Sequence, residues 1–165
     1  MDKERIVTYV SITSIVFAVL ATLSTFKSGG QSTLAVLSQS QASDQWAFYQ
    51  AKSIKQHTYE VHRDLMKLQP ATAKSQKLVA SYEAQIARYD GEKKEIKEKA
   101  EALEKQRAGA QLHVTQFSIA VIFLQLSILL SAIAGLTKRY PLWWASVTIG
   151  TVGVVFFVNG FYLFF

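Results

Sequence analysis

The chain has 165 residues, the size of one ordinary domain, and it contains no cysteine. A chain without cysteine is not a disulfide scaffold, an iron–sulfur protein, a thiol enzyme or a cysteine-ligated zinc module. Half of the residues are apolar, 18% are charged and the formal net charge is +6. Apolar and charged residues lie in different stretches, so each stretch predicts its own kind of structure.

The first element is the apolar segment Ile6–Phe26, in which the phenol of Tyr9 is the only ionisable side chain. A helix rises about 1.5 Å per residue, so this segment is long enough for a hydrocarbon core of about 30 Å. We predict a transmembrane helix over residues 6–27. A cleaved signal peptide ending near Ala21 is the alternative, but the segment is long for a signal core and the residues before it are balanced in charge.

The second element, between Lys27 and His113, holds most of the charged residues of the chain. Its charges are mixed in sign and no nucleic-acid motif accompanies them, so no nucleic acid is expected as a partner. Pro70 is the only proline here and predicts the turn of a helical hairpin over residues 30–112, with helices at 30–69 and 72–112. Thr72 and Ser75 are capping candidates beside this turn. The glycine pair before residue 31 is expected to permit a kink.

Both halves of this hairpin carry residues at alternating spacings of three and four, which is typical of coiled-coil packing. The seam of the second half is Val79, Tyr82, Ile86, Tyr89, Lys93, Ile96, Ala100, Leu103, Arg107, Ala110, Val114 and Phe117. The expected seam of the first half is Leu37, Ser40, Asp44, Ala47, Ala51, Ile54, Val61, Leu65 and Leu68. Folding at Pro70 then places Asp44 opposite Lys93 and Lys97, and Trp46 and Tyr49 near Ile96 and Lys93. Asp44 forms a register-setting ion pair in this arrangement, or contacts a partner chain.

Two further apolar segments end the chain. We predict a second transmembrane helix at 113–136, continuous with the hairpin, and a third at 142–165. The predicted fold class is therefore an all-α membrane protein: three transmembrane helices with a long antiparallel helical-hairpin stalk, coiled-coil-like, between the first and the second.

The short loop between the last two segments contains Lys138 and Arg139. Short basic loops stay on the cytoplasmic side, so we expect a cytoplasmic amino terminus and a periplasmic stalk and carboxyl terminus. Lys27, Lys105 and Arg107 favour the opposite orientation more weakly.

Chemistry-bearing side chains are few. His57, Glu60 and Asp64 share one helix face and are weak candidates for a metal site, but their face is expected to be solvated, so no metal is predicted. Gln125 and Asn159 lie within the apolar segments, where amides either bond between helices or line a pore. No catalytic residue and no cofactor is predicted.

The run QASDQWAFYQAKSIKQHTYE, together with YEAQIARYDGEKKEIKEKAEALE and LTKRYPLWW, resembles a family of small bacterial inner-membrane proteins catalogued as a domain of unknown function. The resemblance covers nearly the whole chain and implies a bacterial inner membrane and three spans, with no activity or cofactor. The distinctive positions map to Ser43, Asp44, Gln45, Trp46, Tyr49, Gln50, Lys52, Ser53, Gln56 and His57.

An aromatic and amide-rich helix face is typical of a recognition surface. The expected interaction surface is Asp44, Gln45, Trp46, Tyr49, Gln50, Lys52 and Gln56. The expected function is that of a non-enzymatic, oligomeric scaffold or accessory subunit of a larger membrane assembly, with the lipid bilayer and a second copy or another subunit as partners. A small homo-oligomeric pore and a metal or ligand sensor are the alternatives.

Overall fold

The computed structural model describes residues 2–164, with side chains from Arg5 onward, and contains three helices and no strand in that range. In chain order they are α1 Asp2–Lys67, α2 Ala73–Thr137 and α3 Tyr140–Tyr162. The expectation of an all-helical fold is confirmed. Each helix contains a stretch long and apolar enough to cross a membrane, which is compatible with a multi-pass membrane protein.

Helix α1 is continuous through Gly29 and Gly30, so the predicted division between a transmembrane helix ending at residue 27 and a hairpin helix beginning at residue 30 is wrong. A Cβ added at either glycine meets nothing within 4 Å. Neither glycine is therefore needed for a bend or a close approach, and the backbone hydrogen bonds of the helix run on through both.

The connection between α1 and α2 contains Pro70 and is closed by a cap. The Thr72 N–H donates to Ser75 Oγ at 2.9 Å, and the Ser75 N–H donates to Thr72 Oγ1 at 3.1 Å. This reciprocal pair satisfies amides that have no partner inside the helix, so α2 begins at Ala73. Both residues were capping candidates from the sequence.

Helix α3 begins earlier than expected, at Tyr140, because Pro141 fits in the first turn, where no hydrogen bond from its nitrogen is needed. It ends at Tyr162, and Leu163 adopts a left-handed φ of 50° while its N–H donates to the Asn159 carbonyl. The expected end at Phe165 lies outside the described residues.

The chain divides into two compact units. The first comprises Met1–Ala35 and Ala108–Phe165 and is called the three-helix unit. The second comprises Val36–Arg107 and is called the two-helix unit.

The three-helix unit packs large side chains of α1 and α2 against glycines of α3. A Cβ at Gly150 would clash with the Phe17 ring, and a Cβ at Gly153 would come within 2.9 Å of Leu124 Cγ. Phe17 and Leu124 are buried together with Ala21 in one cluster. Because these α3 residues are glycines, the side chains of Phe17 and Leu124 have room to pack against the helix backbone.

Hydroxyl groups join α2 to α3 in the same unit. The Ser127 hydroxyl donates to the Ser146 carbonyl at 2.7 Å, and the Ser146 hydroxyl donates to the Ser127 carbonyl at 2.9 Å. Both serines are fully buried. Such reciprocal bonds are a common means of joining helices where apolar burial alone gives little specificity.

The two-helix unit is antiparallel. Lys67 Nζ lies 2.9 Å from Glu83 Oε1, Lys52 Nζ lies 2.6 Å from Glu92 Oε2, and Trp46 Nε1 donates to Glu104. On α2, the seam predicted from the sequence is buried or half-buried in this unit except at Arg107, so this part of the pattern is confirmed.

The α1 side of the same contact differs from the prediction. The residues that face α2 are buried or half-buried and recur at alternating spacings of three and four: Ser38, Ala42, Gln45, Tyr49, Lys52, Gln56, Tyr59, Arg63 and Met66. We call this set the inner seam. The seam predicted to be inside is exposed instead, because aromatic and ionic contacts hold the inner seam, while the prediction chose the more apolar face.

Candidate functional site

Most of the residues expected to form an interaction surface instead make contacts within the two-helix unit. The ring of Trp46 lies edge-on to Tyr49, and Lys93 Nζ lies 5.4 Å from the centroid of the Tyr49 ring. The Tyr49–Lys93 proximity is therefore as expected, and the indole N–H of Trp46 donates to Glu104. These contacts stabilise the unit and leave little of the rings for a partner.

Lys52 and Gln56 continue this pattern. Lys52 Nζ forms the ion pair with Glu92 and lies 5.3 Å from the centre of the Tyr89 ring. Gln56 is 9% exposed, and its Nε2 donates to Glu60 Oε1 at 3.2 Å. Gln45 is half-buried on the same inner seam. Amphipathic side chains here bury their stems and hold their polar ends at the edge of the contact.

Asp44 and Gln50 are the two exposed members of the expected surface. The ion pair expected between Asp44 and Lys93 or Lys97 is absent among the described residues: Lys93 lies 3.9 Å from Asp90, and Lys97 lies 3.7 Å from Glu101. Asp44 lies on the outside of α1, because that face does not pack on α2. The distinctive run of the sequence thus contributes to both faces of the helix.

The exposed seam of α1 is the most unusual surface of the two-helix unit. Its members, called the outer seam, are Leu37, Ser40, Asp44, Ala47, Ala51, Ile54, Thr58, Val61 and Leu65, and all are exposed. Ile54 is 67% exposed, Val61 58% and Leu65 52%, and Phe48 beside them is 50% exposed. The outer seam keeps the alternating three and four spacing of a helix-packing face, although no residue of this chain's two-helix unit covers it.

The outer face of α2 contrasts with this seam. Between residues 73 and 107 Leu78, at 38%, is the only large apolar side chain exposed. The remainder is rich in lysine and glutamate paired along the helix, as in Lys99 with Glu95. One side of the unit is therefore apolar and the opposite side is a solvated, charged surface.

The weak metal candidates do not converge. His57 Nδ1 lies 2.7 Å from Glu60 Oε2, while Asp64 Oδ1 accepts a bond from Arg63 Nε. His62 Nδ1 bonds the Thr58 carbonyl. Among the described residues no group of three histidine or acidic side chains is arranged to hold a metal ion.

Three carboxylates of the two-helix unit are held in the charged form by a basic neighbour. The Lys52 ammonium lowers the pKa of Glu92 through a hydrogen bond, and Lys67 lowers the pKa of Glu83 in the same way. The pKa of Asp64 is lowered by its hydrogen bond from Arg63. Two of these pairs, Lys52–Glu92 and Lys67–Glu83, join α1 to α2.

The two amides in the apolar segments have different surroundings in the three-helix unit. Asn159 is 1% exposed, and its Oδ1 accepts the Phe164 N–H at 2.7 Å, which caps the end of α3. Gln125 is exposed on α2 and has no hydrogen-bond partner among the described residues. Seven residues before Gln125 on α2, the hydroxyl oxygen of Ser118 lies 3.3 Å from the hydroxyl oxygen of Ser28 on α1.

The α1 seam predicted from the sequence matches the outer seam except that it lacks Thr58 and includes Leu68, but it was predicted to pack on α2 and is exposed instead. A signal for the inner seam was present, because Gln45, Tyr49, Lys52, Gln56 and Tyr59 recur at spacings of three and four. Tyrosine, lysine and glutamine also pack between helices when their polar ends find partners. The spacing in the sequence therefore indicates the inner seam, but the polar side chains of that seam led the prediction to the other face.

A family model described as Domain of unknown function (DUF4337) matches residues 6–163. No curated protein and no solved structure matches the chain.

Proposed function

The chain belongs to this family of unknown function, and we propose that it is a non-enzymatic membrane protein that serves as an oligomeric scaffold or accessory subunit of a larger membrane assembly. The contacts are made by the helices of the two-helix unit, which stands outside the bilayer as a stalk. The bilayer holds the apolar segments of all three helices.

The observation that carries this proposal is the outer seam of α1. Large apolar side chains at helix-packing spacing are exposed at both ends of this seam, at Leu37 and at Ile54, Val61 and Leu65, and mostly small residues lie between them. A solvated helix in water gains nothing from such a stripe, whereas a helical partner buries it. The stripe therefore favours a partner that is itself a helix with apolar residues at the same repeat.

The membrane setting is supported by the surface of the three-helix unit. Its exposed side chains include Ile15, Val19, Ile122 and Leu129, while several serines are fully buried, among them Ser127. Apolar side chains on the surface, together with buried hydroxyl groups between helices, are typical of helices that pack in lipid. The resemblance of the sequence to bacterial inner-membrane proteins supports that membrane as the setting. Lys138 and Arg139 favour a cytoplasmic amino terminus, with the stalk and the carboxyl terminus periplasmic.

The experiment compares the mass of the complex formed by the unaltered chain with that formed by a variant of the outer seam. The whole chain is expressed in its membrane, extracted in mild detergent and analysed by native mass spectrometry. We expect a species larger than one chain in the unaltered protein. Val61→Asp combined with Leu65→Asp places charges at the contact and is expected to replace the large species by a smaller one.

The matched control is Lys105→Ala, which alters an exposed position on α2 away from the outer seam. It is expected to leave the large species unchanged. A single chain in the unaltered protein, or a large species that survives both aspartates, contradicts the proposal. Circular dichroism of the double variant separates loss of contact from loss of folding.

The alternative functions have less support. A pore lined by Gln125 and Asn159 needs both amides at one water-filled surface, but Asn159 is buried and caps α3. A metal sensor at His57, Glu60 and Asp64 needs ligands that converge, whereas Asp64 bonds Arg63 and only His57 and Glu60 meet. Neither alternative is proposed.

A further inference from the structure

Gln125 has a position that its neighbours within the chain do not explain. It lies midway along the apolar stretch of α2 that runs from Val114 to Leu136. Its side chain is exposed on the outside of the three-helix unit and has no hydrogen-bond partner among the described residues. In water this would be unremarkable. In hydrocarbon, the setting of the proposed function on which this inference rests, an unpaired amide is costly.

Unlike serine or threonine, a glutamine in this position cannot satisfy all of its polar atoms by bonding to its own helix backbone. Thr22 Oγ1 donates to the Ala18 carbonyl and Ser11 Oγ donates to the Val7 carbonyl, four residues back on the same helix. A primary amide carries two N–H donors and one carbonyl acceptor, so bonding to one backbone carbonyl leaves the rest unsatisfied. Its partner must offer both a donor and an acceptor.

The residues around Gln125 form a face suited to a neighbouring helix. Exposed residues recur along α2 at alternating spacings of four and three, and the Gln125 face consists of Ser118, Ile122, Gln125, Leu129, Ala132 and Leu136. Ile122 and Leu129 on either side of the amide are each 63% exposed. Serine and alanine at two of the other positions allow a second helix to approach closely.

A groove adjoins this face on the α1 side. It has a volume of about 450 Å³ and is lined by Ser118 and Ile122 of α2 and by Ser28, Gly29 and neighbouring small residues of α1. Large side chains from an incoming helix have room here, because a Cβ at Gly29 itself would meet nothing within 4 Å.

We propose that the Gln125 face is a dimerisation surface inside the bilayer, and that its occupant is the same face of a second copy of this chain. Two copies anchored in one membrane have the same orientation, so a two-fold axis along the membrane normal brings α2 beside α2 in parallel. Each residue near such an axis meets its own counterpart. A pair of glutamine amides is self-complementary, because each donates from Nε2 and accepts at Oε1.

The test is cysteine cross-linking of the whole chain, which contains no native cysteine to interfere. Gln125→Cys and Leu129→Cys proteins are reconstituted at a low protein-to-lipid ratio in phosphatidylcholine–phosphatidylglycerol vesicles and oxidised with copper phenanthroline. We expect disulfide-linked dimers from both. The controls are Ile15→Cys on α1 and Val155→Cys on α3, which replace side chains that are 63% and 49% exposed but lie off the face; they are expected to give several-fold less dimer.

The contribution of the amide is measured by energy transfer between labelled copies in the same vesicles. Gln125→Leu is expected to raise the dissociation constant of the dimer about three- to thirty-fold, the range for a membrane hydrogen bond. Gln125→Asn keeps the amide and is expected to retain most of the association. Equal cross-linking at all four positions, or association unchanged in Gln125→Leu, overturns the proposal.

Failure of this inference is distinguishable from failure of the proposed function. If the Gln125 face does not cross-link but the large species is still lost in the aspartate variant of the outer seam, contacts through the stalk stand and the bilayer dimer is wrong. If the face cross-links while the aspartate variant retains its mass, the dimer stands and contacts through the stalk are wrong.

Discussion

At the scale of single residues, the two-helix unit is held by polar side chains that contact both water and the neighbouring helix. Lys52 illustrates this, since its ammonium lies 2.6 Å from Glu92 and 5.3 Å from the centre of the Tyr89 ring. The Tyr59 ring in turn stacks on Tyr89, with 5.8 Å between the centroids. Each such residue contributes a flat or flexible apolar body to the contact and keeps its charge or hydroxyl at the rim.

Acid is expected to destabilise the two-helix unit. The pKa values of Glu92 and Glu83 are lowered in the folded chain by Lys52 and Lys67, so folding favours the charged carboxylates. Their contribution is present above the ordinary glutamate pKa of about 4.3 and is lost as the pH falls through the lowered folded-state pKa. Thermal melts of the whole chain, followed by circular dichroism in detergent at about pH 7 and about pH 3, measure the loss.

Two variants test the assignment to these ion pairs. Glu92→Gln is expected to melt earlier at neutral pH and to show a smaller difference between the two pH values. Glu98→Gln alters an exposed carboxylate on the outer side of α2 and is the matched control. If both variants keep the full pH dependence, the interhelical carboxylates are not its source.

At the scale of elements, α3 packs against α1 and α2 through its glycines. Gly150, Gly153 and Gly160 receive Phe17, Leu124 and Phe117 in turn, and the ring or branched end of each occupies the space that a Cβ would need. Close packing of this kind depends on shape, because lipid provides no hydrophobic incentive for helices to associate.

Glycine-to-alanine substitutions are expected to have opposite effects at two positions. Gly153→Ala places a Cβ 2.9 Å from Leu124 Cγ and 3.1 Å from the Leu124 backbone nitrogen, which cannot move aside without shifting α2. We expect a destabilisation of about 1–3 kcal/mol. Gly91→Ala meets nothing within 4 Å in the two-helix unit and is expected to stabilise its helix by about 0.5–1 kcal/mol.

Denaturant titration of the full chain in mixed micelles measures both effects. The pair is informative because the chemical change is the same in each, and only the surroundings differ. A Gly153→Ala protein as stable as the unaltered chain would mean that α3 is not packed against Leu124.

The sequence predicted an all-helical fold and a continuous α2 correctly, but it divided α1 in two and chose the wrong packing face for it. The α2 seam was identified because its large residues, such as Tyr89 and Ile96, are also the buried ones. On α1 the rule that the more apolar stripe packs inside failed, since Ile54 and Val61 are exposed and Lys52 and Gln56 face α2. Spacing alone cannot choose between two seams of the same period. The choice depends on which side chains find partners on the opposite helix, and that is known only from the fold.

At the scale of the whole molecule, each unit combines buried polar groups with large apolar side chains on part of its surface. In the three-helix unit Ser127, Ser131 and Ser146 are fully buried while Leu129 and Ile133 are exposed. In the two-helix unit the apolar outer seam lies on one side only, with charged residues on the other. Under the proposed function, lipid surrounds the apolar surface of the three-helix unit and a partner helix covers the outer seam.

The proposed orientation predicts which side of the membrane each segment reaches. Lys105→Cys in the two-helix unit is expected to react with a membrane-impermeant maleimide added to whole spheroplasts. Thr137→Cys, beside Lys138 and Arg139, is expected to react only after the membrane is permeabilised. The reverse pattern would invert the proposed topology, and labelling of both from one side would argue against three crossings.

The outer seam implies an unusual freedom in how this chain evolves. Its aliphatic residues are not needed to hold α1 against α2, so replacing one by another leaves the chain's own folding almost untouched. Under the proposed function, selection on Ile54 or Val61 comes from the partner helix, and a change at these positions has to be matched by a change in that partner. On that proposal, a change of partner would leave the architecture of the chain itself unchanged.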